Sequence, residues 1–207
     1  MGIYRILNTM KQTLNKLLDL LFPPRAAQLI LRTHKKTSPD SPGGCHEGIF
    51  YCANYTHPVI HAAVSENKFH NNSQAQTLLA NTLTTWIDQK KLGEVCFIPI
   101  PLGKNRQHKR GHNQVISVLN RTSYDTEHVL TRVTETVPQV SLGRHQRLQN
   151  IKGVFQCDVE ALLKVSGKTL ILLDDVVTTG ATLAEARAVL TPHLPPDTRL
   201  LCLGLAH

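Results

Sequence analysis

The chain has 207 residues, of which 41% are hydrophobic, enough for one α/β domain with its own core and a small N-terminal appendage. Its five cysteines are odd in number and scattered and form no Cys-x-x-Cys pair, which argues against a disulfide framework and favours a reducing cytoplasm. The net charge of +8 is concentrated between residues 101 and 152, where nine Lys or Arg stand against three acidic residues. This segment suggests an anionic partner, a polyphosphate or nucleic acid, although any one of these residues could simply lie on a solvated face.

The N-terminal region, residues 1–33, is predicted to begin with an amphipathic helix. Its apolar residues recur at helical spacing and are Ile3, Leu7, Met10, Leu14, Leu17, Leu18 and Leu21. Charged residues interrupt the pattern, so the segment has neither a bilayer-spanning run nor the apolar region and cleavage site of a signal peptide. Two interpretations stay open: a helix packed on the body or on a partner, or a helix on a membrane surface.

The residues that follow predict a linker and then a single domain. FPPR stops the helix, because proline cannot continue one. Residues 34–48 combine Ser, Pro, Gly and charge without periodicity and predict a loop or linker. From residue 49 to residue 207 we predict one domain, which begins with a short strand in IFYCANY. Helical structure follows from about His57 to Trp86, broken near FHNNS.

The second half of the domain predicts a parallel sheet. EVCFIPIPL indicates a strand that runs into a proline-marked loop, KNRQHKRGHNQ a polar basic loop that enters a helix, and residues 125–133 another strand or its approach. The remaining elements are a strand over 169–173, a loop over 174–181, a helix from 182 to about 190 and a strand over 199–205. Strand, helix and strand in this order form a βαβ unit, so we predict an α/β fold.

The loop in LILLDDVVTTGAT has the composition of a phosphate site next to a sugar site. Ligands bind at the C-terminal ends of parallel strands, where this loop would lie. The helix that begins near Thr182 offers unpaired N–H groups, and the small residues before it let the backbone approach an anion. Asp174 and Asp175 would lie beside the phosphate and can accept hydrogen bonds from sugar hydroxyls. A phosphate next to a diol is a ribose 5-phosphate.

The loop has three other interpretations. An aliphatic strand that ends in two acids also occurs in P-loop NTPases, but GKT at residues 167–169 lacks the first glycine of that motif and precedes its strand. A receiver domain would spread its acids over several strands and would not need the threonines. A plain helix N-cap is the third alternative.

LILLDDVVTTGAT resembles the signature of type I phosphoribosyltransferases, whose loop holds the 5-phosphate of phosphoribosyl pyrophosphate (PRPP). YTHPVIHAAVSENKFHNN, FIPIPL, KRGHNQ, LTRVTETVPQVSL, RLQNIKGVF and LLCLGLAH resemble, in order, motifs of the competence protein F (ComF) family. The resemblance covers about residues 50–207, with weaker support in LLDLLFPPR. It implies a type I phosphoribosyltransferase fold: a central, mostly parallel sheet flanked by helices, with a hood and an N-terminal helix.

One departure concerns a zinc finger. Many relatives carry a four-cysteine finger after FPPR, whereas Ala26 and Leu29 stand here where its first cysteines would fall. Cys45 and Cys52 do not restore it. We therefore expect residues 1–33 to keep only a remnant of that region, with no structural zinc.

The resemblance implies a role for each part of the PRPP site. Asp174 and Asp175 would contact the ribose hydroxyls, and with Arg110 they form the predicted catalytic set. Mg²⁺ would be held chiefly by PRPP oxygens and water, with the two acids as indirect or direct contacts. The predicted 5-phosphate loop is Val177, Thr178, Thr179, Gly180, Ala181 and Thr182. The predicted pyrophosphate and hood residues are Pro101, Leu102, Gly103, Arg106, Lys109 and Arg110.

Other residues carry weaker expectations. Gly111, Asn113 and Gln114 complete the RGxNQ pattern, and His112 is expected to be a surface or stacking residue. Arg147 and Asn150 would serve the hood or nucleic acid. Cys96, at the start of a predicted strand, and Cys202, in the last predicted strand, are expected to be core residues. The predicted nucleic-acid contacts are Lys104, Arg106, Lys109, Arg110, Arg144 and Arg147.

Three functions remain open at this stage. The first is phosphoribosyl transfer from Mg²⁺·PRPP to an acceptor that the sequence does not identify. The second is an accessory role in natural transformation, with single-stranded DNA, a competence helicase and recombination mediators as the partners that the resemblance implies. The third is a non-catalytic PRPP sensor or adaptor. The expected location is cytoplasmic, with peripheral attachment to the inner membrane as an alternative, and a homodimer is left open.

Overall fold

The computed structural model describes residues 23–34, 38–134 and 153–207. The helices are α1 (Ala26–Thr33), α2 (Pro58–His70), α3 (Ser73–Lys90), α4 (Lys104–Arg110), α5 (Gln114–Leu119), α6 (Val159–Leu163) and α7 (Ala181–Leu190). The strands are β1 (Gly44–His46), β2 (Ile49–Ala53), β3 (Val95–Pro99), β4 (Asp125–Thr126), β5 (Leu130–Arg132), β6 (Phe155–Cys157), β7 (Thr169–Val176) and β8 (Arg199–Ala206). The first helix predicted from the sequence, together with Arg144, Arg147 and Asn150, lies outside the described residues.

Six of these strands form one sheet in the order β1-β2-β8-β7-β3-β4. Every neighbouring pair is parallel except β1 and β2, which form an antiparallel edge. The predicted α/β fold with a central, mostly parallel sheet flanked by helices is confirmed. Because β3, β7 and β8 run in the same direction, the loops after β3 and β7 emerge at one edge of the sheet.

Strand β7 explains why the sheet is covered on both faces. Ile171 and Leu173 pack in one core with α2, α3 and α5, whereas Leu170 and Leu172 pack in a second core with α6 and α7. Side chains alternate between the two faces of a strand, so a strand buried on both faces is a continuous aliphatic run. TLILL therefore encodes a central strand whose next residues, the two acids, reach the sheet edge.

Two sequence predictions about loops were wrong. The predicted loop at 34–48 contains the short edge strand β1, and the predicted basic loop after β3 begins as helix α4. Helix α4 was missed because none of its residues is buried, so its sequence carries no apolar repeat. It ends at Gly111, whose φ of 71° suits glycine, and the next helix begins after a cap by Asn113.

Two further strands, β5 and β6, pair in a small antiparallel sheet. Strand β5 lies within the strand predicted at 125–133, and β6 begins at Phe155, the last residue of RLQNIKGVF. Phe155 is buried in the second core. Among the described helices, none combines the length and the apolar composition that crossing a bilayer requires.

Candidate functional site

A cavity of about 550 Å³ opens at the sheet edge where β3 and β7 end. Residues 174–183 line it without interruption, so the acids and the whole predicted phosphate loop share one space. Four predicted pyrophosphate or hood residues also line it, namely Pro101, Leu102, Arg106 and Arg110. Gly103 caps α4 beside the cavity, while Lys104 and Lys109 are exposed on that helix.

The two acids at the end of β7 have different surroundings. Asp175 is only 7% exposed, and its Oδ2 accepts a hydrogen bond from Gln114 Nε2 at 2.9 Å. The same oxygen lies 2.9 Å from Lys68 Nζ, and Oδ1 accepts from the backbone N–H of Val176. Burial alone would raise the pKa of Asp175, but the charge and hydrogen bond of Lys68, with the hydrogen bond from the Val176 N–H, outweigh it and lower the pKa. Asp175 is therefore a fixed anion.

Asp174 is the acid that can exchange a proton. Burial and the adjacent negative charge of Asp175 raise the pKa of Asp174 to about 7. Its Oδ1 accepts a hydrogen bond from the backbone N–H of Asp175. The sequence-based prediction assigned both acids to the ribose hydroxyls, whereas in the structure Lys68 and Gln114 contact only Asp175.

The loop after the acids ends at the first turn of α7. Gly180 has a φ of 69° and precedes the helix, which begins at Ala181, one residue before the predicted position. Helix α7 has ten residues, and its first three, Ala181, Thr182 and Leu183, line the cavity. A helix N-terminus reached through a glycine turn suits a phosphate group.

The C-terminal strand fastens the first residue of this loop. Val177 donates its N–H to the carbonyl of Ala206 at 2.9 Å, and the Nδ1 of His207 donates to the carbonyl of Val177 at 2.9 Å. Gly204 lies directly under the Val177 side chain, so a Cβ at Gly204 would collide with it. LLCLGLAH matched a family motif, but nothing in its composition indicated that it positions the phosphate loop.

Lys68 is the main site residue that the sequence did not identify. It lies near the end of α2, more than a hundred residues before Asp175. Its neighbour Phe69 and the more distant Tyr55 also line the cavity. All three residues occur in YTHPVIHAAVSENKFHNN, whose resemblance to a family motif could have indicated a site there. A lone lysine on a helix has no local sequence pattern that assigns it to a site.

Residues 110–114 connect α2 to the acids. Arg110 Nη1 donates to Gln114 Oε1 at 2.8 Å, and Gln114 in turn donates to Asp175. His112 lies between the carbonyl oxygens of Arg110 and Asn67, with its ring nitrogens at 2.9 and 2.8 Å. His112 is thus a half-buried bridge, and the prediction of a surface or stacking residue was wrong.

The rejected P-loop motif lies far from this cavity. Lys168, in GKT, pairs through Nζ with Asp125 Oδ2 at 2.6 Å, at the start of β7 and therefore at the opposite edge of the sheet. The prediction that Cys96 and Cys202 pack in the core is confirmed, since both are buried. Burial raises the pKa of the Cys96 thiol to about 11, so it stays protonated at neutral pH.

Comparison with known proteins gives several homologues. The chain is 28% identical over 157 residues to DNA utilization protein YhgH of Escherichia coli K12, covering 70% of this chain and 67% of that protein. It is 35% identical over 107 residues to competence protein F of Haemophilus influenzae, about half of each chain. It is 28% identical over 139 residues to competence protein ComFC of Streptococcus pneumoniae, covering 67% of this chain and 60% of that one. These matches confirm the resemblance to the competence protein F family.

No protein-family model matches the chain. Among solved structures, the allosteric regulatory enzyme of purine biosynthesis is similar with a TM-score of 0.39 and 13% identity, over 67% of this chain and 30% of that chain.

Proposed function

We propose that this chain, a homologue of competence protein F and of the DNA utilization proteins, binds Mg²⁺·PRPP and transfers its phosphoribosyl group during the handling of incoming DNA. One observation carries the proposal. A titrating acid, a fixed acid and a glycine turn that opens a helix follow one another along residues 174–183 and line one cavity. This order matches the order of the chemical groups in a ribose 5-phosphate.

The 5-phosphate takes the loop at the start of α7. Backbone N–H groups and the positive end of the helix dipole favour an anion there. Thr178, Thr179 and Thr182 add hydroxyl donors on the cavity wall. The hydrogen bond that Val177 donates to Ala206 and the one that it accepts from His207 hold the loop in place before the ligand arrives.

The ribose takes the space beside Asp174. Its hydroxyls are donors, and an ionised carboxylate is a strong acceptor for them. Lys68, Gln114 and the N–H of Val176 contact the oxygens of Asp175. Asp175 therefore orients the residues around the ribose more than it binds the sugar. Transfer gives the ribose positive charge in the transition state, and the negative charge of Asp175 favours that change.

The pyrophosphate takes the basic side of the cavity. Arg106 and Arg110 line that side, and guanidinium groups suit paired contacts with phosphate oxygens. Lys68, at the same wall, adds an ammonium that can turn from Asp175 to the ligand. These three cations stabilise the leaving group as its charge grows.

The residues that line the cavity fit a Mg²⁺ ion that is bound mainly by PRPP and not by a dedicated protein site. Within the described ranges no group of three or more Cys, His, Asp or Glu could hold a metal. Asp174 is the more exposed of the two acids and is the carboxylate that would contact the ion or its water. When bound with PRPP, Mg²⁺ would neutralise charge on the pyrophosphate.

A role in binding single-stranded DNA is the second candidate. Helix α4 has no buried residue, and Lys104 and Lys109 are exposed on it next to the cavity cations. Such cations attract a phosphate backbone and make binding sensitive to salt. The names of the homologues, DNA utilization protein and competence protein, support a role in handling DNA. A PRPP sensor without catalysis differs from a transferase by releasing no pyrophosphate with any acceptor.

We expect the affinity for Mg²⁺·PRPP to rise roughly tenfold between pH 6 and pH 8, because Asp174 must lose its proton before it accepts from the ribose hydroxyls. The stability of the ligand-free protein depends on pH in the opposite direction. Folded Asp174 keeps its proton up to about pH 7 and the unfolded chain releases it near pH 4, so this group lowers stability as the pH rises between them.

Isothermal titration calorimetry in buffers of different ionisation enthalpy tests this prediction. Wild-type protein at pH 7 should release a proton from Asp174 on binding, and Asp174→Asn should not. PRPP titrates too, but its contribution is common to both proteins. The same pH dependence in wild type and variant would contradict the role of Asp174, and an absence of measurable binding in wild type would contradict the proposed function.

A further inference from the structure

Phe69 lies at the wall of the cavity and is 65% exposed, more than any other large hydrophobic residue reported as exposed in the described part of the chain. A single exposed hydrophobic side chain is ordinary on a protein surface. Phe69 differs because it shares the cavity with the acids and the phosphate loop.

The ring is held by a closed set of contacts. The guanidinium carbon of Arg110 lies over the ring, 5.8 Å from its centroid. Arg110 donates to Gln114, Gln114 donates to Asp175, and Asp175 pairs with Lys68, the residue before Phe69. These contacts connect the ring to Asp175, the carboxylate that orients the ribose side of the site.

Buried contacts fix the helix end that carries the ring. Asn67 is 1% exposed, and its Nδ2 donates to the carbonyl of Gln114 at 2.9 Å. The carbonyl of Asn67 accepts from His112. The last turn of α2 and residues 110–114 are therefore held together, and they position Phe69 at the cavity.

We propose that Phe69, backed by Arg110, is a stacking platform for a nucleobase at the mouth of the cavity. Phenyl rings and guanidinium planes both stack on bases, and the surrounding cations attract the charge that nucleotides carry. The proposal rests on the proposed function, because it names the class of molecule that meets bound PRPP. The base comes either free, as an acceptor, or carried by single-stranded DNA.

Local sequence composition does not indicate such a platform. Single-strand binders usually interleave aromatic and basic residues, and the basic segment at 101–152 has Tyr124 as its one aromatic residue. Tyr124 is half-buried and packs edge-on against Phe97, and it does not line the cavity. The aromatic partner of the basic helix comes instead from α2.

Three variants test the platform: Phe69→Ala, Phe69→Leu, which keeps apolar bulk, and Phe69→Trp, which keeps the aromatic face. Each is assayed for Mg²⁺·PRPP, for a panel of free purine and pyrimidine bases with PRPP present, and for a thymidine oligonucleotide against an abasic one of equal length. Loss of stacking should weaken base binding between about 5-fold and about 100-fold in the Ala and Leu variants. Phe69→Trp should restore it.

The arms of the experiment separate the outcomes. Weaker binding of free bases alone identifies an acceptor site, and loss of the preference for thymidine over abasic DNA identifies a strand site. Equal binding of every base-bearing ligand by wild type and Phe69→Ala would overturn the platform, as would a wild type that binds neither bases nor oligonucleotides. Failure of the proposed function shows separately, as a wild type that does not bind PRPP.

Discussion

Replacing Asp174 and Asp175 together by asparagine is expected to abolish binding of Mg²⁺·PRPP while the protein stays folded. Asparagine keeps the shape of the side chains but removes both charges, and each charge-assisted hydrogen bond contributes about 1.5–3 kcal/mol. Loss of the Asp174 contact with the ribose corresponds to roughly 10- to 150-fold in affinity, and loss of the Asp175 anion that pairs with Lys68 and orients the site adds to it. Titration calorimetry measures the loss, and circular dichroism checks the fold.

A matched variant controls for the change in net charge. Asp88 lies on α3 and Asp197 lies in the turn before β8, and both are exposed away from the cavity. Asp88→Asn with Asp197→Asn changes the net charge equally and should bind PRPP like wild type. The site variant should keep its affinity for single-stranded DNA, whereas Arg110→Ala should weaken both ligands. Wild-type PRPP affinity in the site variant would refute the ribose assignment.

Gly204→Ala is expected to weaken PRPP binding about a hundredfold, although Gly204 would not touch the ligand. Gly204 has an ordinary strand conformation, so the backbone tolerates alanine there. The new Cβ would collide with Val177 Cγ2 and lie 3.1 Å from the carbonyl of Ala206, which must push the first residue of the phosphate loop outward. Overpacking of this kind also costs about 1–3 kcal/mol of stability.

A second substitution makes the Gly204 prediction specific. Val177→Ala removes the methyl groups that collide, so Gly204→Ala with Val177→Ala should recover most of the lost PRPP affinity. Val177→Ala alone should cost stability through lost packing and little affinity. Calorimetry and chemical denaturation on all four proteins give the complete cycle. Additive losses in the double variant would show that the contact between Gly204 and Val177 does not position the loop.

Those parts of the site that occupy one stretch of sequence could be predicted. TLILL, the acids and the glycine turn follow one another along the chain, so strand, loop and helix were evident from local composition and periodicity. The different states of Asp174 and Asp175 could not be predicted in this way. They depend on Lys68 and Gln114, which reach Asp175 from two other helices.

The missed elements have physical reasons as well. Helix α4 is stabilised without a buried face, and β1 is a three-residue edge strand, so neither has a periodic apolar pattern. Gly204 and His207 act on the phosphate loop through backbone contacts and shape. Sequence composition reports chemistry at a position, whereas these residues matter because of what lies next to them in the folded chain.

Thermal unfolding with Mg²⁺ and PRPP, compared with Mg²⁺ and ribose 5-phosphate, tests the central claim most directly. At about 100 times its dissociation constant, a ligand that binds only the folded state stabilises it by about 2.7 kcal/mol. For a domain of this size the rise in Tm is about 5–10 °C. We predict this rise with PRPP, a smaller one with ribose 5-phosphate, and none in the variant that carries both Asp→Asn substitutions. An unchanged Tm with millimolar PRPP would contradict the account.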